Sequence, residues 1–233
     1  MAASEPSVSV IIPARNATRY LREAVSSILE PETGVALEVI VVDDGSSDGT
    51  AALAAQLGAR VVAQEASGIG AARSRGVSAA RGAIIGFLDA DDRWAPGGLA
   101  ARLQPLRADP SAEIVWGRVR HFISPDVPAA VAARLFCPTG SEVAHLAGGM
   151  LARRTLFDRV GQFNADVRVG EFVDWMLRAR EIGVRELSVD DVVLWRRVHG
   201  ESHTARNPQA LGDLAHILKA SLDRRRAPGS VAP

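Results

Sequence analysis

The sequence predicts an α/β fold: a mostly parallel central sheet flanked by helices, with a helical extension at its C-terminal end. Three observations predict it. The chain has 233 residues, 47% of them hydrophobic and 23% charged, a globular composition long enough to bury a core without disulfide or metal staples. Over the first ninety residues, short β-branched runs alternate with helix-periodic segments, as in βαβ units. The strand candidates are apolar throughout rather than at every second position, as in a sheet covered on both faces.

Residues 8–12 (VSVII) are an apolar run closed by Pro13 and read as a buried strand. Residues 20–29 place Leu21, Val25, Ile28 and Leu29 at helical spacing. A second strand covers 39–42. A short helix is expected over 50–57, with Leu53 and Leu57 four apart and Gly58 as its stop. A third strand covers 60–63, an alanine-rich helix runs over 70–80 and stops at Gly82, and 83–88 (AIIGFL) is a fourth strand. The second half is less regular. Pro96 suits the first position of a helix running to about 106. Residues 114–122 read as a strand, and 124–138, with three prolines, as a loop. Helices are expected over 153–160, ended by Gly161, and over 172–182, ended by Gly183. One or two strands follow over 187–198. A terminal helix over 208–225 carries Leu211, Leu214, Leu218 and Leu222 on one face, and 227–233 reads as a disordered tail.

Composition excludes several classes. Lys+Arg and Asp+Glu are both 27, which argues against a protein that coats nucleic acid or binds membranes through a polybasic surface. The single cysteine, Cys137, rules out an internal disulfide framework and a cysteine-rich zinc site, and fits a reducing compartment. The opening MAASEPS lacks the layout of a signal peptide, and no apolar run approaches the ~18 residues of a membrane span. The expectation is a soluble cytoplasmic protein without a transmembrane segment.

In an open parallel sheet, ligands bind beyond the carboxyl ends of the strands. The residues after the strand candidates are Pro13-Ala14-Arg15-Asn16, Asp43-Asp44-Gly45-Ser46-Ser47 and Asp89-Ala90-Asp91-Asp92. Five acidic residues therefore gather at one edge, and their repulsion calls for a cation or a set of donors. Asp89 and Asp91 alternate in extended backbone, so both project to one side and suit a hard cation that bridges to phosphate. The DDGS run reads either as a plain turn or as a carboxylate facing a nucleobase or ribose. The run from Ser67 to Arg73 (SGIGAAR) is not a dinucleotide fingerprint, because Arg73 stands at the third glycine position and the run follows the third strand. Gly68 at that helix entry can still approach phosphate, with Arg73 and Arg75 to neutralise it.

The blocks VSVIIPARN, VIVVDDGSSDGT, SGIGAARSRG and IIGFLDADD, in this order and spacing, resemble the family 2 glycosyltransferases of the GT-A fold. The resemblance is close over about 8–96 and weaker to about 204. It implies a Rossmann-like GT-A domain over 1–204, with a nucleotide-binding half at about 8–92 and an acceptor-binding half at 93–204, followed by a C-terminal helix and flexible tail over 205–233. It also implies transfer of a sugar, with inversion, from a nucleoside-diphosphate-sugar, UDP-linked by analogy, to an unidentified acceptor. The cofactor implied is Mn²⁺ or Mg²⁺, which stabilises the leaving diphosphate as a Lewis acid.

Carried over by position, Pro13, Arg15 and Asn16 line the nucleoside, with Asp44 as the nucleobase contact and Asp43 beside it. Gly68 and Arg73 approach the nucleotide. Asp91 is the direct metal ligand, and Asp89 contacts ribose or metal through water. His199, in the RRVHG block, is a third metal ligand; a zinc reading of His199 with His203 fails for want of further ligands. The acceptor must lose a proton, so a general base is needed. The aspartate that usually serves falls here at Phe172, which leaves Glu171 as the base and Asp174, three residues on and on the same helix face, to support or replace it. Trp116-Gly117 and Gly148-Gly149-Met150 lie where the family builds its acceptor and donor-sugar walls, while Trp94, Trp175 and Trp195 read as core or cleft-wall residues. A nucleotidyltransferase is the poorer match, because PARN is neither glycine-rich nor strongly basic. A catalytically silent nucleotide-sugar-binding module is the alternative that Phe172 leaves open.

Overall fold

The computed structural model describes residues 7–29, 34–143, 145–167, 169–200 and 210–226. The elements in chain order are β1 (Val8–Ala14), α1 (Leu21–Leu29), β2 (Leu37–Asp44), α2 (Thr50–Gln56), β3 (Arg60–Gln64), α3 (Ile69–Ala79), β4 (Ile84–Phe87), β5 (Arg93–Trp94), α4 (Gly98–Ala108), β6 (Ile114–Ile123), α5 (Ala129–Ala132), β7 (Glu142–Val143), β8 (Met150–Arg153), α6 (Arg154–Val160), α7 (Glu171–Glu181), β9 (Glu186–Val198) and α8 (Ala210–Arg226). A single 3₁₀ turn, Ala147–Gly149, precedes β8.

The strands form one sheet in the order β3-β2-β1-β4-β8-β6-β9-β5, with β7 on β6. The expected βαβ array is present: β1, β2, β3 and β4 run parallel. The second half extends it with antiparallel pairs, β4–β8, β6–β8 and β5–β9, and one further parallel pair, β6–β9. Pro13 does not close β1 but lies inside it, opposite Val42. The ladder to β4 ends at Ile11, so a missing N–H two residues later interrupts nothing on that flank.

Both faces of the sheet are covered. Val8, Val10 and Ile12 pack under α1, α2 and α4, while Ile11, Ile40, Ile85 and Phe87 face α3, α6 and α7. Each such side chain contributes about 1.5–3 kcal/mol by leaving water. Helix α3 lies close on the sheet because residue 76 is glycine; a Cβ there would overlap the Ile11 side chain.

Two expectations are corrected here. Pro96 does not open the helix: Gly97 turns through the left-handed region (φ 76°) and α4 starts at Gly98, with Pro105 inside its last turn. Arg153 closes that frayed end, donating from Nη2 to Leu106 O at 2.6 Å and from Nε to Ala112 O at 2.8 Å. The loop at 124–138 contains the single turn α5. The leucine stripe of α8 is divided: Leu214 is half-buried and packs with Ile217 beside Gly170, whereas Leu218 and Leu222 are exposed and Ser221 is buried. The surface it meets on α7 is polar. Glu181 accepts hydrogen bonds from Ser221 Oγ at 2.6 Å and Arg224 Nε at 2.7 Å. His203 and the tail at 227–233 lie outside the described residues. Among the described residues, no helix is long and apolar enough to cross a membrane.

Candidate functional site

The carboxyl ends of β1, β2, β3 and β4 open onto one rim, and the loops there are held mainly by their own side chains. After β1, Asn16 takes positive φ (49°), and its Oδ1 accepts the Ser47 N–H at 2.9 Å. Asn16 N donates to Ser46 Oγ at 2.9 Å. Asp48 accepts from Thr18 N and Oγ1 on one side and from Thr50 N and Oγ1 on the other, joining the PARN loop to the start of α2. Burial alone would raise the Asp48 carboxyl, but the Thr50 and Thr18 donors outweigh it and hold it below the ordinary aspartate value. Pro13 is buried beneath this loop and Arg15 is exposed on it.

Asp43 and Asp44 end β2, and both are buried. Asp43 Oδ1 accepts from Ser46 N at 3.3 Å. Asp44 is more heavily engaged: Oδ1 accepts from Gln64 Nε2 (2.7 Å) and Ser67 N (2.8 Å), and Oδ2 from Gly68 N (2.9 Å). Of roughly four lone-pair positions on a carboxylate, three are thus used to shape the entry to α3. Gly68 stands there at φ 92°, a conformation open to glycine.

Arg73, on α3, is the hub of the site. It is 3% exposed, and its guanidinium bridges two carboxylates. Nη2 donates to Asp89 Oδ1 at 2.9 Å, and Nη1 donates to Glu171 Oε1. It also lies 5.9 Å from the Phe172 ring centroid. Glu171, the first residue of α7, is buried, and Gly70 lets α3 approach it closely. Asp174, one turn on in α7, has other partners. It is buried, accepts a hydrogen bond from Arg178 of its own helix (3.0 Å) and lies 3.8 Å from Arg224 of α8.

The 89–92 turn separates three carboxylates. Asp89 is half-exposed beside Arg73. Asp91 Oδ2 lies 2.9 Å from His199 Nε2, whose ring is 8% exposed and whose Nδ1 has no partner among the described residues. Asp92 is buried and accepts from Arg197 N at 2.8 Å. Burial, then the Asp91 and Asp89 charges, push its carboxyl well above the ordinary value. The topology therefore brings Asp89, Asp91, Arg73, Glu171 and His199 to one rim, with Asn16, Asp43, Asp44 and Gly68 framing the neighbouring loops.

Two supports escaped sequence reading. Arg197 clamps the turn to β9, with Nε on Asp91 O (2.8 Å), Nη1 on Ser124 Oγ (2.8 Å) and Nη2 on Glu23 (2.7 Å). Arg102 is fully buried with no carboxylate partner among the described residues, and burial lowers its pKa to about 9. It stacks 4.4 Å from the Trp94 ring, and both side chains donate to Gly148 O, at 3.2 and 3.1 Å. A buried arginine leaves no periodic signal in a sequence. The motif R-R-V-H did single out the Arg197 neighbourhood.

A metal can be tested against these donors. Among the described residues, no group of three His, Cys, Asp or Glu side chains converges as a metal cage. Asp91 and His199 offer adjacent donors, with Asp89 on the same turn. That set fits a cation that completes its shell with water and phosphate oxygens, as Mg²⁺ does.

Comparisons with known proteins give a consistent picture. The family model described as Glycosyl transferase family 2 matches residues 9–165. The succinoglycan biosynthesis protein ExoU of Rhizobium meliloti is 32% identical over 212 residues, 79% of this chain and 60% of that protein. Chondroitin synthase of Escherichia coli is 37% identical over 122 residues, 50% of this chain and 18% of that protein. The chain thus spans 60% or less of the length of these two relatives. In fold it is similar to Staphylococcus aureus TarS 1–349 solved in complex with UDP-GlcNAc, with a TM-score of 0.74 and 18% identity over 95% of this chain and 67% of that one.

Proposed function

This chain belongs to glycosyl transferase family 2, and from that premise we propose that it transfers a sugar, with inversion, from a UDP-linked donor to an acceptor hydroxyl. The observation that carries the reading is the convergence of Asp89, Asp91, His199, Arg73 and Glu171 on one rim. The solved complexes of TarS with UDP and UDP-GlcNAc support the choice of donor.

In this reading the loops set by Asn16, Asp43, Asp44 and Gly68 receive the nucleoside. Asp91 and His199 would hold a divalent cation, with Asp89 on the same turn beside them. That cation, when bound, neutralises charge on the leaving diphosphate. Arg73 keeps Asp89 and Glu171 at fixed positions relative to each other. Glu171 takes the acceptor's proton: Arg73 engages Oε1, and Oε2 makes no hydrogen bond among the described residues. Asp174 supports α7 from behind.

Phe172, buried beside Arg73, favours a second reading as a silent nucleotide-sugar-binding module. One experiment sorts the two. UDP and UDP-GlcNAc should each raise the melting temperature, more so with Mn²⁺, and Asp91→Asn should erase the Mn²⁺-dependent part. Binding without turnover of UDP-GlcNAc, with or without added acceptors, would favour the silent module. No UDP binding by the wild-type protein would sink both.

A further inference from the structure

We propose that Arg196 and His121 form a binding site for a phosphate group on the acceptor-half wall of the cleft. The two residues come from different strands but stand directly opposite each other in the parallel β6–β9 ladder. Alternation along β9 turns neighbouring side chains to opposite faces. Arg197 points inward to Ser124 and Glu23, so Arg196 points the other way. That is the side of Leu194, which packs so close under Gly148 that a Cβ there would lie 2.9 Å from Leu194 Cδ2.

Arg196 differs from the arginines that hold the rim and α7. Arg73, Arg178, Arg197 and Arg224 each have a carboxylate within 4.0 Å. Arg196 is half-buried, yet it makes no hydrogen bond and has no carboxylate oxygen within ion-pair distance among the described residues. The charged groups that act on this pair are Asp92, whose Oδ1 is engaged by Arg197 N, and Glu142 of β7. Burial and the Arg196 charge push the His121 imidazole below its ordinary value, so it stays neutral and offers one N–H donor. A guanidinium with its fork unspent, beside a neutral imidazole donor, matches the oxygen geometry of a phosphate.

Such a phosphate can come from the donor's diphosphate or from a phosphorylated acceptor; this choice of sources rests on the transferase reading, but the site itself does not. Calorimetric titration with two probes separates them: UDP with Mn²⁺, and glycerol 3-phosphate added to the UDP-saturated protein. Arg196→Gln should fold normally, because it removes no hydrogen bond or ion pair among the described residues, and should weaken one probe about tenfold. His121→Phe should weaken the same probe by a smaller factor. Loss on glycerol 3-phosphate with UDP unchanged assigns the site to the acceptor. Loss on UDP assigns it to the donor. If the wild-type protein binds UDP and Arg196→Gln leaves UDP within twofold, with glycerol 3-phosphate binding absent or equally unchanged, the site does not exist. Failure of the wild-type protein to bind UDP overturns the transferase reading instead, and the glycerol 3-phosphate titration, run without UDP, still decides the site.

Discussion

Replacing Arg73 by methionine isolates the pair at the centre of the rim. Its side chain is 4% exposed and that of Glu171 is 7% exposed, so the variant strands a buried carboxylate without its cation. Breaking a buried pair from one side costs about 3–5 kcal/mol. The contact to Asp89 adds little, because that side chain is 42% exposed and water screens it to under about 1 kcal/mol. Against a total stability of about 5–15 kcal/mol, Arg73→Met should remain folded but shift the urea midpoint strongly. Glu171→Leu leaves Arg73 with only the exposed Asp89 and should cost about 2–3 kcal/mol. The double variant removes both charges, and its loss should fall short of the sum by at least about 2 kcal/mol. Fluorescence of the fully buried Trp116 and Trp175 supplies the signal. If the two single losses add to within about 0.5 kcal/mol of the double, the pair carries no coupling and Arg73 is not the hub described here. Glu171→Gln keeps the side-chain shape and an acceptor for Arg73; its main loss should appear in UDP-GlcNAc turnover rather than in the urea midpoint.

Three further outcomes follow from single contacts. Gly76→Ala forces a methyl into Ile11 and should destabilise by about 1–3 kcal/mol in the same urea assay, whereas an exposed glycine with open space such as Gly200 should tolerate alanine. Asp44→Ala leaves the Ser67 and Gly68 N–H groups and Gln64 without their acceptor; it should cost about 2 kcal/mol and weaken UDP binding in calorimetry, because the entry to α3 loosens. Ser124 first, then Tyr20 and Arg19, pull the Asp126 carboxyl from 3.8 down to about 2. Its stabilising contribution is therefore present above pH 3.8 and lost as the pH falls through about 2, so Asp126→Asn should flatten the fall in melting temperature across that window.

The first half of the fold was legible because its signals are local. Runs such as VSVII and AIIGFL and the helical spacing of Leu21, Val25 and Ile28 each fit within a dozen residues and agree with one another. Strand β8 was missed because it has four residues and passes into α6 without a turn, so its alternation is too short to separate from the helix that follows. The leucine stripe of α8 left open what it packs against, and the structure divides it: Leu214 and Ile217 pack beside Gly170, α7 offers Glu181 to Ser221 and Arg224, and Leu218 and Leu222 face out.

The same distinction runs through the site. The strand-end rule located the acidic residues of the rim, but it gave every carboxylate equal weight, and partners divide them. Asp44 and Asp48 are consumed in holding loops, Asp174 in accepting from Arg178 of its own helix and Asp92 in receiving Arg197 N, while Asp89 and Asp91 keep exposed oxygen. Those partners lie 24 to 108 residues away in the chain for Gly68–Asp44, Arg197–Asp92 and His199–Asp91, so no local window could assign them. A carboxylate here is available for chemistry in proportion to the donors the fold withholds from it. For that reason Asp91→Asn should cost binding with little loss of stability, and Asp44→Ala should cost both.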